Sequence, residues 1–168
     1  MVNVLVVGSG GREHSIGWKL GQSNNVNTVF YAPGNGGTLN NVQISVDDLD
    51  GLANFASENN CFTVVGPEAP LAMGIVDMFN EMGLKIFGPT KEAAQLESSK
   101  IWAKQFLKRN NISTTSFEVF DDAVKAKEYV NQIEYNVVIK ADGLAAGKGV
   151  IVCDSKDEAE KSIDMMLV

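Results

Sequence analysis

The chain has 168 residues, 45% of them hydrophobic and 21% charged, a composition that supports a globular core and fits one domain or a domain plus part of another. Its formal net charge of −7 excludes a broad nucleic-acid surface, so only local groups of Lys and Arg are available to an anion. The single histidine, His14, excludes a histidine-rich metal site. No apolar run approaches the roughly 20 residues of a membrane span, and no signal-peptide pattern precedes the first strand.

The first 90 residues alternate strand and helix patterns. Val2 to Val7 is nearly all apolar and ends at "GSGG", as expected of a strand buried on both faces. A helix to about Gly21 and a strand from Val26 to Tyr31 follow. Leu49, Leu52, Ala53 and Ala56 then recur at helical spacing behind aspartates that can cap the helix. Phe62 to Val65 is the next strand, stopped by "GPE". Leu71, Ile75, Phe79 and Met82 mark one further helix closed by Gly83, and "KIF" ends at "GP". Such alternation predicts an α/β domain with an open parallel sheet, Rossmann-like in character.

The pattern changes after Pro89, and a boundary near 90–98 divides the chain into domains 1–95 and 96–168. In the second, a helix from about Ser99 to Asn110 carries Lys100, Lys104 and Lys108 on one face. Ser116 to Phe120 reads as a strand, and Asp121 as the cap of a helix containing Ala126, Tyr129, Val130 and Ile133. A hairpin of Val137–Ile139 and Val150–Cys153 follows, then a helix to about Met166 opened by the capping-box pair Ser155 and Glu158. Three strands with no closing element make this an incomplete α+β unit. Cys61 and Cys153 fall in apolar strand contexts and are expected as buried, reduced thiols. Met73, Met78, Met82, Met165 and Met166 occupy helical positions and are expected as core or capping contacts.

Glycines between a strand and a helix suggest a dinucleotide site, but the pattern fails twice. Gly8 and Gly10 fit its start, yet Glu13 stands at the third glycine position. No acid occurs between Glu13 and Asp47 to hold a ribose. What remains is a strand–loop–helix turn whose amides can receive an anion, with Arg12 as a forked partner. Equally, Arg12, Glu13 and His14 can simply cap the helix and pair locally. Further turns follow the other strands: "APGNGG" at 32–37, "GPE" at 66–68 and "GP" at 88–89. In a parallel sheet these should converge at the carboxyl edge, with Glu68 available to a sugar hydroxyl or an amine.

The hairpin loop "DGLAAGKGV" resembles a P-loop only superficially. Its spacing is short, Gly149 replaces the hydroxyl residue, and a strand follows where a P-loop needs a helix. Glycines around Lys148 suit a flap that closes over a polyphosphate. Lys140, at a strand end, needs an anion, a carboxylate such as Asp142, or solvent. A solvated hairpin tip is the plain alternative, as a solvated helix face is for the 100, 104, 108 lysines.

Together, "GSGGREH", "PGN" at 33–35, "VGPEAPL" at 65–71, "FGP" at 87–89 and "KADGLAAGKGV" at 140–150 resemble the phosphoribosylamine–glycine ligase family of purine biosynthesis. The order and spacing match from residue 1 to at least 153. The resemblance implies a pre-ATP-grasp domain followed by the first part of an ATP-grasp domain. It implies a cytoplasmic, ATP-dependent ligase with Mg2+ or Mn2+, joining glycine to 5-phosphoribosylamine through glycyl phosphate. It implies ATP contacts at Lys104, Lys140, Gly143, Gly147, Lys148 and Gly149. Phosphoribosylamine contacts are implied at Gly8, Gly10, Gly11, Arg12, Glu13, Pro33, Gly34, Asn35, Gly66, Pro67 and Glu68. Family members continue well beyond residue 168, and that continuation is expected to carry the metal ligands and much of the glycine site. No metal ligand and no catalytic residue is assigned within these residues, and the chain alone is expected to be inactive. The alternative is a non-catalytic module that binds a phosphorylated sugar or nucleotide.

Overall fold

The computed structural model describes residues 1–145 and 149–167, arranged as two compact units, 1–95 and 96–168. In the first unit the elements are β1 (Val2–Gly8), α1 (Gly11–Leu20), β2 (Val26–Pro33), α2 (Leu49–Glu58), β3 (Cys61–Val65), α3 (Glu68–Met73), α4 (Ile75–Glu81), β4 (Lys85–Phe87) and α5 (Lys91–Ser98), the last crossing the division. The strands form one parallel sheet in the order β2-β1-β3-β4.

β1 is central because both of its faces are apolar. Leu5 and Val7 join Ala32, Leu52, Ile75 and Phe79 in one cluster, while Val4 and Val6 join Tyr31 in another. Alternation of side chains along a strand sends these pairs to opposite faces. Leu5, Leu52, Ile75 and Phe79 are fully buried, and each contributes about 1.5–3 kcal/mol of apolar transfer energy. Asp48 caps α2 by accepting from Gly51 N at 2.9 Å.

Several expectations change here. The helix expected through Leu71 to Met82 is two helices, because Gly74 adopts φ +100° and closes α3 before α4 begins. The apolar periodicity continues across the break, which hides it. β2 extends to Pro33, so "PGN" starts inside the strand. The boundary segment forms α5, held by Asp77 Oδ2, which accepts from Lys91 N at 2.7 Å.

The second unit contains α6 (Lys100–Arg109), α7 (Ala123–Gln132), β5 (Val137–Lys140), β6 (Val150–Cys153) and α8 (Lys156–Leu167). β5 and β6 pair antiparallel, with Val138 opposite Val152 and Lys140 opposite Val150. One face of the hairpin packs with α7 and α8 through Ala126, Val130, Cys153, Ala159 and Ile163.

Ser116–Phe120 is not a strand: it is irregular, so the described residues of this unit give two paired strands rather than three. Its apolar residues serve without a ladder, Phe120 packing on the α7–α8 core and Phe117 lying under Lys104. Asp122, not Asp121, caps α7 by accepting from Lys125 N at 2.9 Å. At α8, Ser155 Oγ accepts from Glu158 N, but the Glu158 carboxylate accepts from Asp154 N instead of closing the box on Ser155. Cys61 and Cys153 are free and buried; Met82 is exposed at the C-cap of α4, whereas Met73 and Met165 are exposed rather than packed. Among the described residues, no helix is long and apolar enough to cross a membrane.

Candidate functional site

In the first unit, three loops meet at the carboxyl edge of the sheet. β1 lies between β2 and β3, and the connection after β1 leads to β2 while the connection after β3 leads to β4, so these two diverge at the point where open α/β sheets leave a crevice. Gly34 N donates to Gly8 O at 3.2 Å, and Asn35 Nδ2 donates to Ser9 O at 2.9 Å. Gly66 N donates to Val7 O at 3.0 Å. Gly8, Gly10, Gly11, Pro33, Gly34, Asn35, Gly66, Pro67 and Glu68 therefore share one neighbourhood. The "GP" turn at 88–89 instead packs Gly88 on Leu71 of α3.

The loop before α1 is shaped around Glu13. This carboxylate is 4% exposed, and its Oε2 accepts from Gly10 N at 2.8 Å. Its Oε1 accepts from Arg12 Nε at 2.7 Å. Burial opposes ionisation, but the Arg12 and Gly10 hydrogen bonds outweigh it and hold the carboxyl below its ordinary range. Glu13 is thus enclosed by Gly8, Gly10 and Gly66, and caps the helix start and pairs with Arg12 as the local reading expects. Arg12 remains exposed, with Nη2 4.0 Å from Glu68 Oε2 at the start of α3. The crevice so presents a guanidinium, a helix N-terminus and an exposed carboxylate. That set can receive a phosphate beside a hydroxyl- or amine-bearing group.

The "PGNGG" turn is built by residues that sequence reasoning did not single out. Thr38, 8% exposed, has its Oγ1 accept from Asn35 N at 2.7 Å. Asn41 Nδ2 donates to Asn35 O at 2.9 Å. The Asn-x-x-Thr spacing at 35–38 was the available signal, a local side-chain turn. Gly34 has φ +73°, and a Cβ there would overlap Asn41.

In the second unit, the glycine loop joins β5 to β6 and is rooted on α6. Asp142 Oδ1 accepts from Ile101 N at 3.1 Å, and Ser99 Oγ donates to its Oδ2 at 3.0 Å. Burial opposes ionisation of Asp142, yet these bonds and others from the α6 backbone keep its carboxyl below the ordinary range. Lys100 Nζ donates to Gly143 O at 2.8 Å. Asp142 therefore serves the helix start rather than Lys140, which lies exposed at the end of β5. Gly143 has φ +92°, which a side chain would strain, and Gly149 is buried against Ala145.

Lys104 donates to Thr114 Oγ1 and Thr115 Oγ1, each at 2.7 Å, and lies 5.6 Å from the Phe117 ring centroid. The 100, 104, 108 lysines are thus not one solvated stripe: the first two are tethered and Lys108 is exposed. Gly147 and Lys148 lie outside the described residues. Among those described, no group of three or more His, Cys, Asp or Glu is placed to hold a metal ion.

Comparisons with known proteins agree along the whole chain. Residues 2–97 match the family model for the phosphoribosylglycinamide synthetase N domain, and residues 98–168 match that for its ATP-grasp (A) domain. The chain is 54% identical to phosphoribosylamine–glycine ligase of Vibrio vulnificus (strain YJ016), and 56% identical to that of Neisseria meningitidis serogroup B (strain ATCC BAA-335 / MC58). Each match covers 99% of the chain and 40% of the relative, so the chain spans well under half the length of these relatives. The crystal structure of phosphoribosylamine–glycine ligase from Thermotoga maritima matches with TM-score 0.78 and 36% identity, over 95% of this chain and 38% of that one. The ADP complex of N5-carboxyaminoimidazole synthetase from Staphylococcus aureus shares the fold, with TM-score 0.73 and 16% identity over 98% of this chain and 44% of its own. With both family models matched in order, the chain belongs to the phosphoribosylglycinamide synthetase family.

Proposed function

We propose that the chain is the N-terminal part of a cytoplasmic, ATP-dependent ligase that joins glycine to 5-phosphoribosylamine. In that reaction a glycine carboxylate oxygen attacks the γ-phosphorus of ATP and ADP leaves. The amine of phosphoribosylamine then attacks the acyl carbon of glycyl phosphate, loses a proton and expels phosphate, giving glycinamide ribonucleotide. Loops 8–12, 33–35 and 66–68 hold phosphoribosylamine, its phosphate at Arg12 and the amides of Gly11 and Arg12, and its hydroxyls or amine at Glu68. Lys140 and the glycine loop, with Gly143, Gly147, Lys148 and Gly149, close over the ATP phosphates. Lys104 joins them once it exchanges its threonine partners for phosphate oxygen. Mg2+ or Mn2+ would neutralise phosphate charge, but the described residues offer no cluster to ligate it. Its ligands are expected from the length of the relatives that this chain does not span.

The observation that carries this reading is the meeting of three strand-end loops around an exposed Arg12, 4.0 Å from Glu68, in a chain that matches both family models. The alternative reading for the 168 residues alone is a module that binds a phosphorylated sugar or nucleotide without turnover. The test is an assay with magnesium, ATP, glycine and freshly generated phosphoribosylamine. The chain extended to the family's full length is expected to form glycinamide ribonucleotide, and the 168-residue chain none. Product from the short chain, lost in Lys140→Met, would overturn the division of labour. No product from the extended chain would overturn the activity.

A further inference from the structure

Glu13 is the only charged side chain buried among the described residues. Burying a carboxylate is unfavourable unless each oxygen finds a partner, and here two specific partners are provided. Gly10 N donates at 2.8 Å and Arg12 Nε at 2.7 Å. The surroundings are cut to fit this side chain. A Cβ at Gly8, Gly10 or Gly66 would overlap Glu13, so glycines from two different loops make room for one carboxylate. Arg12 itself keeps 60% of its side chain exposed. With Nε–H donated inward, Nη1 and Nη2 make no hydrogen bond among the described residues, the nearest carboxylate being Glu68 Oε2 at 4.0 Å from Nη2, and the guanidinium's orientation is fixed at its inner edge.

We infer that Glu13 is a positioning residue: it aims the Arg12 guanidinium into the crevice and does not itself touch the ligand. The inference rests on the reading of that crevice as a phosphate-ester site. A carboxylate facing a phosphate would repel it, whereas one behind the arginine removes the entropy of a long side chain before the ligand arrives.

The experiment uses the 168-residue chain and ribose 5-phosphate as the probe, in two measurements. Proton–nitrogen NMR follows the Arg12 Nε–H, and calorimetry follows binding. In the unmodified chain the Arg12 Nε–H is expected to exchange slowly with water at neutral pH. In Glu13→Gln it is expected to lose that protection while affinity falls about tenfold, the scale of one charge-assisted contact. Because Glu13 acts through Arg12, Glu13→Gln made in an Arg12→Ala background is expected to weaken binding less than about twofold further. Equal losses in both backgrounds would overturn the inference, as would an Arg12 Nε–H unchanged by Glu13→Gln. A chain that fails to bind ribose 5-phosphate, yet shows the Nε–H protected and lost on substitution, would overturn the crevice assignment and leave the clamp standing. If Glu13→Gln does not fold, Arg12→Ala serves with Glu13 intact. Without its cation the buried carboxylate titrates higher, so acid unfolding should begin at higher pH; an unmoved acid limb would overturn the coupling.

Discussion

The two sheets of this molecule solve burial differently. β1 has apolar neighbours on both faces, and Val4 through Val7 are each 2% exposed or less. The β5–β6 hairpin covers one face only, with Val138, Val150 and Val152 exposed on the other. Similarly, α4 buries Ile75, Val76 and Phe79, whereas α6 buries none of its residues. The sheet of the first unit closes its core with its own helices, and its strand-end loops meet at one edge. The second unit holds its loop by polar ties, Asp142 to Ser99 and Ile101 and Lys100 to Gly143, rather than by packing.

Truncation should expose this contrast most strongly. Phe79→Ala, in the closed core, is expected to cost about 3–5 kcal/mol in denaturant unfolding. Val152→Ala, on the open hairpin face, should stay within about 0.5 kcal/mol. Comparable losses would show that the hairpin face is covered after all. On the proposed function, Lys140→Met in the extended enzyme would remove one charge-assisted phosphate contact of about 1.5–3 kcal/mol, so ATP use should weaken roughly ten- to a hundredfold. Unchanged kinetics would remove Lys140 from the site.

Acid sharpens the comparison within the first unit. The Glu13 carboxyl titrates lower in the folded chain than in the unfolded one, so its stabilisation is complete above the ordinary carboxylate pKa. That contribution disappears as pH falls through the lowered folded value. Unfolding measured against pH should therefore show an acid loss that is smaller in Glu13→Gln. Thiol reactivity gives a parallel check, since burial pushes the Cys61 thiol up to about 11. Cys61 should react with alkylating reagents only at the rate of unfolding. The smallest effect is expected at Thr63, whose buried Oγ1 has no partner among the described residues. Thr63→Val replaces an unsatisfied hydroxyl by a methyl of similar size, and should be neutral or stabilising by about 1 kcal/mol.

The elements readable from sequence were those set by local chemistry. The apolar run of β1 announced a strand buried on both faces, and Ser99 stood where α6 begins and caps it, accepting from Trp102 N at 3.1 Å. The failures involve partners distant in the chain. The local pairing of Arg12 and Glu13 was one of two readings open from the residues, but the room Gly66 makes for Glu13 was not readable, because that glycine arrives on another loop. Ser116–Phe120 had strand-like residues but no ladder partner, and strand propensity alone supplies none. The break at Gly74 was masked by an apolar period that runs through it. In the candidate sites, a positive φ at Gly8, Gly34 and Gly143 and a close approach at Gly10 and Gly66 account for glycines that the sequence marked. The tether of Lys104 to Thr114 and Thr115 was not readable, since it depends on the path of an irregular loop.

The central claim is that the crevice at the carboxyl edge of β1, β2 and β3 receives a phosphorylated sugar. The most direct measurement is residue-resolved backbone amide NMR of the chain during titration with ribose 5-phosphate. Saturable shifts are predicted at Gly10, Gly11, Arg12, Gly34, Asn35 and Gly66, with the β5–β6 hairpin unchanged. Shifts confined to the hairpin and α6, or none on any of the three loops, would contradict it.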